Sequence, residues 1–177
     1  MSAAIDAIVT ALRGAAELGG PALVSALGDG VREAHSWRRA FDAVENVDER
    51  GVALLHVDDA VTIVHVDLAP GFCSRVHSHG LGAAIGVYAG QEDNTLYVPR
   101  PGGGLRVSGR VQVLAGEVFQ MGAEAIHHIE NPLDVPLRAV HVYFGDLPNS
   151  WRHRYEPPGW APIPEGGAAT GRGSGSP

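Results

Sequence analysis

The stretch GFCSRVHSHGLGAAIGVYAG, residues 71–90, decides how this chain is read, together with a later one, GEVFQMGAEAIHHIEN, residues 116–131. In the first, His77 and His79 stand two positions apart. Side chains alternate between the faces of a β-strand. This spacing therefore puts both imidazoles on one face, with Cα atoms about 7 Å apart, which suits two adjacent ligands on one metal ion. In the second stretch His127 and His128 are neighbours in a strand-like run. Neighbours face opposite sides, so only one of the two can join such a site.

The strand pattern extends in both directions. Runs rich in β-branched and aromatic residues cover 52–57, 60–68, 82–89, 95–98, 105–107, 110–114, 117–121, 125–129 and 137–144. Asp58-Asp59 reads as the turn of a first hairpin, Glu92-Asp93-Asn94 as another turn, and Gly109 as a break between two runs. Many short strands over residues 51–156 predict a sandwich or closed barrel, and closure also removes exposed sheet edges.

Before the barrel, residues 1–50 read as a helical segment packing against it. Ile5, Ile8, Val9 and Leu12 recur at helical spacing, with Ser2 placed to cap and Asp6 in the first turn. Gly19-Gly20-Pro21 and Gly28-Asp29-Gly30 read as breaks, with a third helix over 31–44. After it, residues 157–177 carry four prolines and then a Gly-rich end, a composition that predicts a largely disordered tail.

Composition narrows the partners. The chain has 177 residues, 45% of them hydrophobic and 19% charged, which suits one ordinary globular core. A formal charge of −7, with all 13 basic residues arginine, argues against nucleic acid or an anionic membrane, since both need a basic face. Cys73, the single cysteine, excludes an internal disulfide. Asp6 and Arg13 interrupt the N-terminal apolar run, no secretory signal is legible, and no run reaches the ~20 apolar residues of a membrane span. The expectation is a soluble cytoplasmic protein of undetermined oligomeric state.

The two opening stretches resemble the two motifs of the cupin superfamily. Gly71, His77, His79 and Gly90 fall at the offsets of the first, and Gly116, His127 and Asn131 at those of the second. Gly122 and Glu124 depart from it at turn positions. The resemblance covers residues 52–148 and implies a mainly β fold, the double-stranded β-helix or jelly-roll barrel, with His77, His79 and His127 as metal ligands. The glutamate that usually completes the ligand set would fall at 83 or 84, and both positions are alanine. Three neutral histidines would leave open positions on an octahedral ion, and a net 2+ charge favours a thiolate or other anion beside dioxygen.

Three-histidine cupins are known above all as thiol dioxygenases. The run RAVHVYFGDL, residues 138–147, resembles their Ser-x-His-x-Tyr stretch, with Ala139 in place of the serine. The runs HSH, GQEDN, ENP and HVYFGD look closer still to predicted metal-dependent bacterial cupins related to them. What this likeness implies is an Fe(II) oxygenase that converts a small thiol, of the cysteine or 3-mercaptopropionate type, to a sulfinate with O₂. Tyr143 and His141 would be its catalytic pair, and Arg152 would bind a substrate carboxylate, with Arg75 and Arg138 in competition. Zn²⁺ or Ni²⁺ chemistry on a sulfur-free small molecule (oxygenation, isomerisation or hydrolysis) is the alternative, and a non-catalytic ligand-binding cupin the third reading.

Overall fold

The computed structural model describes residues 2–42, 44 and 47–166. Three helices come first, α1 (Ala3–Glu17), α2 (Gly20–Arg32) and α3 (Ala34–Phe41). The strands follow as β1 (Val52–Val57), β2 (Thr62–Leu68), β3 (Val76–Ser78), β4 (Ala83–Ala89), β5 (Gln91–Pro99), β6 (Leu105–Leu114), β7 (Val118–Met121), β8 (Ile126–Glu130), β9 (Leu137–Tyr143), β10 (Arg152–Glu156) and β11 (Ala161–Glu165). They form two antiparallel sheets, ordered β1-β2-β9-β4-β7 and β11-β10-β3-β8-β5-β6. From β2 to β10 the chain crosses repeatedly from one sheet to the other, which is the jelly-roll path. No helix among the described residues is long and apolar enough to cross a membrane.

The first sheet is covered on both faces, which explains why residues 62–66 are buried without a break. Val64, Val66, Ile85 and Ala139 face the barrel interior. Ile63, Ala84, Tyr88, Val140 and Val142 face outward onto Leu23, Leu27, Trp37 and Phe41 of the helices. α1 starts where the Ser2 hydroxyl accepts from the Ile5 amide at 3.4 Å.

Gly28-Asp29-Gly30 does not break the helix, because α2 runs through it and ends at Arg32. The third helix correspondingly spans only Ala34–Phe41. These glycines serve packing: a Cβ on Gly30 would lie 2.0 Å from the Trp37 ring, so only glycine admits the indole there. Gly86 on β4 plays the same part from the other side, since its Cβ would meet Leu27 at 2.7 Å and Val31 at 2.8 Å. Gly86→Ala is therefore expected to destabilise by about 1–3 kcal/mol, as overpacking does, read as a lower urea midpoint at unchanged slope.

Three further expectations are corrected. Gly109 lies inside β6, where Ser108 bulges opposite Leu96 and Tyr97, so the two short runs are one strand. Glu92-Asp93-Asn94 is part of β5, paired with β6 and, from Asp93 on, with β8. Pairing on both sides overrides the turn preference of Asp and Asn. Ala161–Glu165 of the expected disordered tail pair with β10, because Pro162 and Pro164 sit on an edge strand where a missing N–H costs little. Residues 167–177 lie outside the described residues, and so does that expectation for them.

Candidate metal centre

β3 is only three residues long, but it lies between β10 and β8 and brings the histidines together. His77 pairs directly with His127, and partners across a ladder share a face. His79 follows one position beyond β3, on that same inner face, and its carbonyl accepts from the Ser150 hydroxyl at 3.0 Å. One ring nitrogen from each of His77, His79 and His127 lies within 4.8 Å of the others. The Nε2 atoms of His79 and His127 are 3.5 Å apart, near the ~3.0–3.4 Å expected of two nitrogens each ~2.1 Å from one ion. His128 faces the opposite side of the sheet, as alternation requires.

The tautomers suit metal binding. His77 Nδ1 donates to the Arg75 carbonyl at 2.8 Å, which leaves Nε2 a lone pair. His127 Nδ1 donates to Asn94 Oδ1 at 2.9 Å, since the amide nitrogen of Asn94 is engaged elsewhere. Burial lowers the pKa of all three rings, those of His79 and His127 well below the ordinary histidine range. Lone pairs of neutral imidazoles, two of them buried and that of His77 partly so, converging on one point are a donor set that fits a divalent cation.

Ala83 resolves where the missing acid would have stood. It faces the interior beside Tyr143, whereas Ala84 packs under the helices. A carboxylate is nevertheless present, two hydrogen bonds removed from the ligand His127. Glu92 is fully buried, with Oε1 accepting from Asn94 Nδ2 at 3.0 Å and Oε2 accepting from His141 Nε2 at 2.9 Å. Through Asn94 it braces His127, and through His141 it reaches Tyr143, whose hydroxyl lies 3.4 Å from His141 Nδ1. The Tyr143 ring stands edge-on to His79 with centroids 4.7 Å apart, and burial raises its pKa well above the usual phenol range. The turn preference of Glu92-Asp93-Asn94 in the sequence hides Glu92 and Asn94 from the site. Their i, i+2 spacing, the same signal that marked His77 and His79, could have found them.

The arginines divide. Arg152 lies opposite Glu165 on β11, at the level of His79, with Nη1 3.5 Å from the Leu147 carbonyl. Its charge contributes to lowering the pKa of His77 and His79 and opposes the rise at Tyr143. Arg75 has its guanidinium solvent-exposed beside Glu156 at 3.6 Å, while its carbonyl accepts from His77 Nδ1. Arg138 is tied to Asp42 and Asp67, outside the barrel. Arg154, in register with His77, was not anticipated; it is paired with Glu165 at 2.9 Å.

No protein-family model matches the chain, and no curated protein sequence does. Solved structures do. The cupin domain of Schizosaccharomyces pombe Cnp3 is 14% identical over 60% of this chain and 72% of its own, with a TM-score of 0.50. An uncharacterized conserved protein with a double-stranded β-helix domain from Klebsiella pneumoniae is 18% identical over 63% and 81%, with a TM-score of 0.47. An oxalate oxidase is 21% identical over 60% and 57%, with a TM-score of 0.46, so the chain spans a little over half the length of that enzyme. At this level of identity the likeness is one of fold. The chain has the cupin fold, a double-stranded β-helix with N-terminal helices, and carries a three-histidine candidate metal centre inside it.

Proposed function

We propose that this cupin is a mononuclear Fe(II) oxygenase acting on a small thiol, producing the sulfinate. What carries the reading is the juxtaposition of three neutral histidines with a protonated tyrosine packed on one of them and wired through His141 to a buried carboxylate. Bound iron would supply the redox step that moves both atoms of O₂ to sulfur, one thiolate and one O₂ giving one sulfinate with no other reductant.

The chain's own residues do the rest. Burial keeps Tyr143 protonated, so the phenol acts as a hydrogen-bond donor towards substrate or towards His141 Nδ1. Glu92 holds the Nε2 proton of His141 and so keeps Nδ1 free to accept. Arg152, on the same face one strand away, is the cation placed to receive a substrate carboxylate. A reduced thiol substrate implies a reducing compartment, and we place the protein in the cytoplasm on that ground.

Protein loaded with Fe(II) is expected to consume O₂ in step with sulfinate formation from cysteine, 3-mercaptopropionate or cysteamine. Tyr143→Phe should slow turnover by about 10²-fold with iron retained. Absence of thiol-dependent uptake across that panel would remove the proposal. Ala139, which cannot supply the hydroxyl of a serine, favours the second reading, a Zn²⁺ or Ni²⁺ cupin acting on a sulfur-free molecule. Metal content after purification separates the two.

A further inference from the structure

The outer face of the same sheet carries a second constellation that the three-histidine centre does not use. His128 and Glu130 alternate along β8 and so project together away from the barrel interior. Cys73 forms an isolated bridge with Glu130, which sets its side chain on that face too. The thiol, one ring nitrogen of His128 and one carboxylate oxygen of Glu130 all lie within 4.8 Å of one another.

The separations suit coordination: Glu130 Oε1 accepts a weak hydrogen bond from the Cys73 thiol, which the loss of that proton to a bound cation would replace. Glu130 Oε1 is 3.6 Å from the Cys73 sulfur and 3.5 Å from His128 Nε2. An N···O distance of 3.5 Å is too long for a good hydrogen bond. The edges of a zinc tetrahedron, with a metal–sulfur bond of ~2.3 Å and metal–N or –O bonds of ~2.1 Å, are about 3.6 Å for S···O and about 3.4 Å for N···O. Tyr97 Oη lies 2.9 Å from His128 Nδ1, so the ring is held from behind with Nε2 turned to the other two groups. Sulfur, imidazole and carboxylate together are the donor set of a borderline-soft divalent cation such as Zn²⁺. A surface cavity of about 520 Å³ adjoins His128 and Glu130 and is lined further by Asp93, Thr95, Tyr97 and Arg110, space in which water or a small anion could complete the ligand set. A reactive-thiol role fits less well, because desolvation and Glu130 both raise the Cys73 pKa.

We propose that Cys73, His128 and Glu130 form a second cation site of the zinc class on the outer face of the barrel, back to back with the three-histidine centre. Because the chain contains one cysteine, a thiolate signal can come from nowhere else. The test is Co(II) titration of the full chain, read by the near-ultraviolet sulfur-to-cobalt charge-transfer band. The band is expected in wild type and in His77→Ala, which disables only the inner centre. It should vanish in Cys73→Ser, an exposed position whose replacement spares the core. His128→Ala and Glu130→Gln should each weaken Co(II) binding by more than tenfold, and Tyr97→Phe by a smaller factor. No band with Co(II) in excess would overturn the site. So would a band of undiminished affinity in both His128→Ala and Glu130→Gln, since that would mean metal held by the lone thiol.

Discussion

Replacing His79 by alanine is expected to strip the inner centre of its metal, from near one ion per chain to near none. The expectation rests on how little else is available. Ala83 occupies the inward position from which a fourth ligand would come, and the Glu92 carboxylate is already engaged by Asn94 and His141. Two histidines would then have to hold an ion unaided. The loss should exceed the 10–100-fold typical of outer-shell substitutions. Elemental analysis of His79→Ala beside His35→Ala, an exposed helix position, checks it. A thermodynamic readout should agree. A ligand at 100 times its dissociation constant adds about 2.7 kcal/mol of stability, so a chelator should lower the melting temperature of wild type and leave His79→Ala unmoved. To hold Cys73, His128 and Glu130 silent, both measurements are made in the Cys73→Ser background. Full metal occupancy in that His79→Ala variant would show that the triad is not the binding site.

Much of this centre could be read from residue order because its information is local. His77 on β3 and His79 one position past its end lie two apart in extended chain, and Ala139, His141 and Tyr143 alternate along another strand, so each set shares a face without any knowledge of the fold. The choice of His127 over His128 followed from motif spacing, and the ladder with His77 supplies the physical reason. What could not be read is what depends on a partner strand. Asp and Asn in Glu92-Asp93-Asn94 favour turns in isolation, and only pairing with β6 and β8 makes them extended. Gly28 and Gly30 look like helix breakers until Trp37 needs the space above Gly30. Cys73 is exposed because it sits in the loop before β3, bridged only to Glu130. In each case a local preference was outvoted by packing that joins residues distant in sequence.

That same non-local pairing is what holds His141. With no serine on β9 to engage His141, the ring turns its Nε2 across the barrel to Glu92 on the other sheet. A carboxylate differs from a hydroxyl in one decisive respect: it accepts and never donates when ionised, so it tolerates His141 with either one proton or two. Glu92 therefore holds the His141 ring with Nδ1 turned to the Tyr143 hydroxyl as its acceptor.

Glu92→Gln tests this with almost no change of shape. The amide oxygen can still accept from Asn94, so the brace on His127 survives and metal content should stay at the wild-type level. The amide nitrogen must then donate to His141 Nε2, which forces the ring proton onto Nδ1. A ring already protonated there cannot accept from Tyr143. The expected result is a kcat lowered by about 10²-fold at unchanged KM, because Tyr143 loses its acceptor while the metal site is left as it was. Glu92→Leu should fail differently. It leaves His141 Nε2–H and Asn94 Nδ2 buried without acceptors, at about 1–3 kcal/mol each, and loosens His127 enough to weaken metal binding by about 10–100-fold. A Gln variant with wild-type kcat and KM, beside a Leu variant that is merely unstable, would reduce Glu92 to a structural brace. The predicted split, rate lost in one and metal lost in the other, would make it the positioning residue through which Tyr143 works.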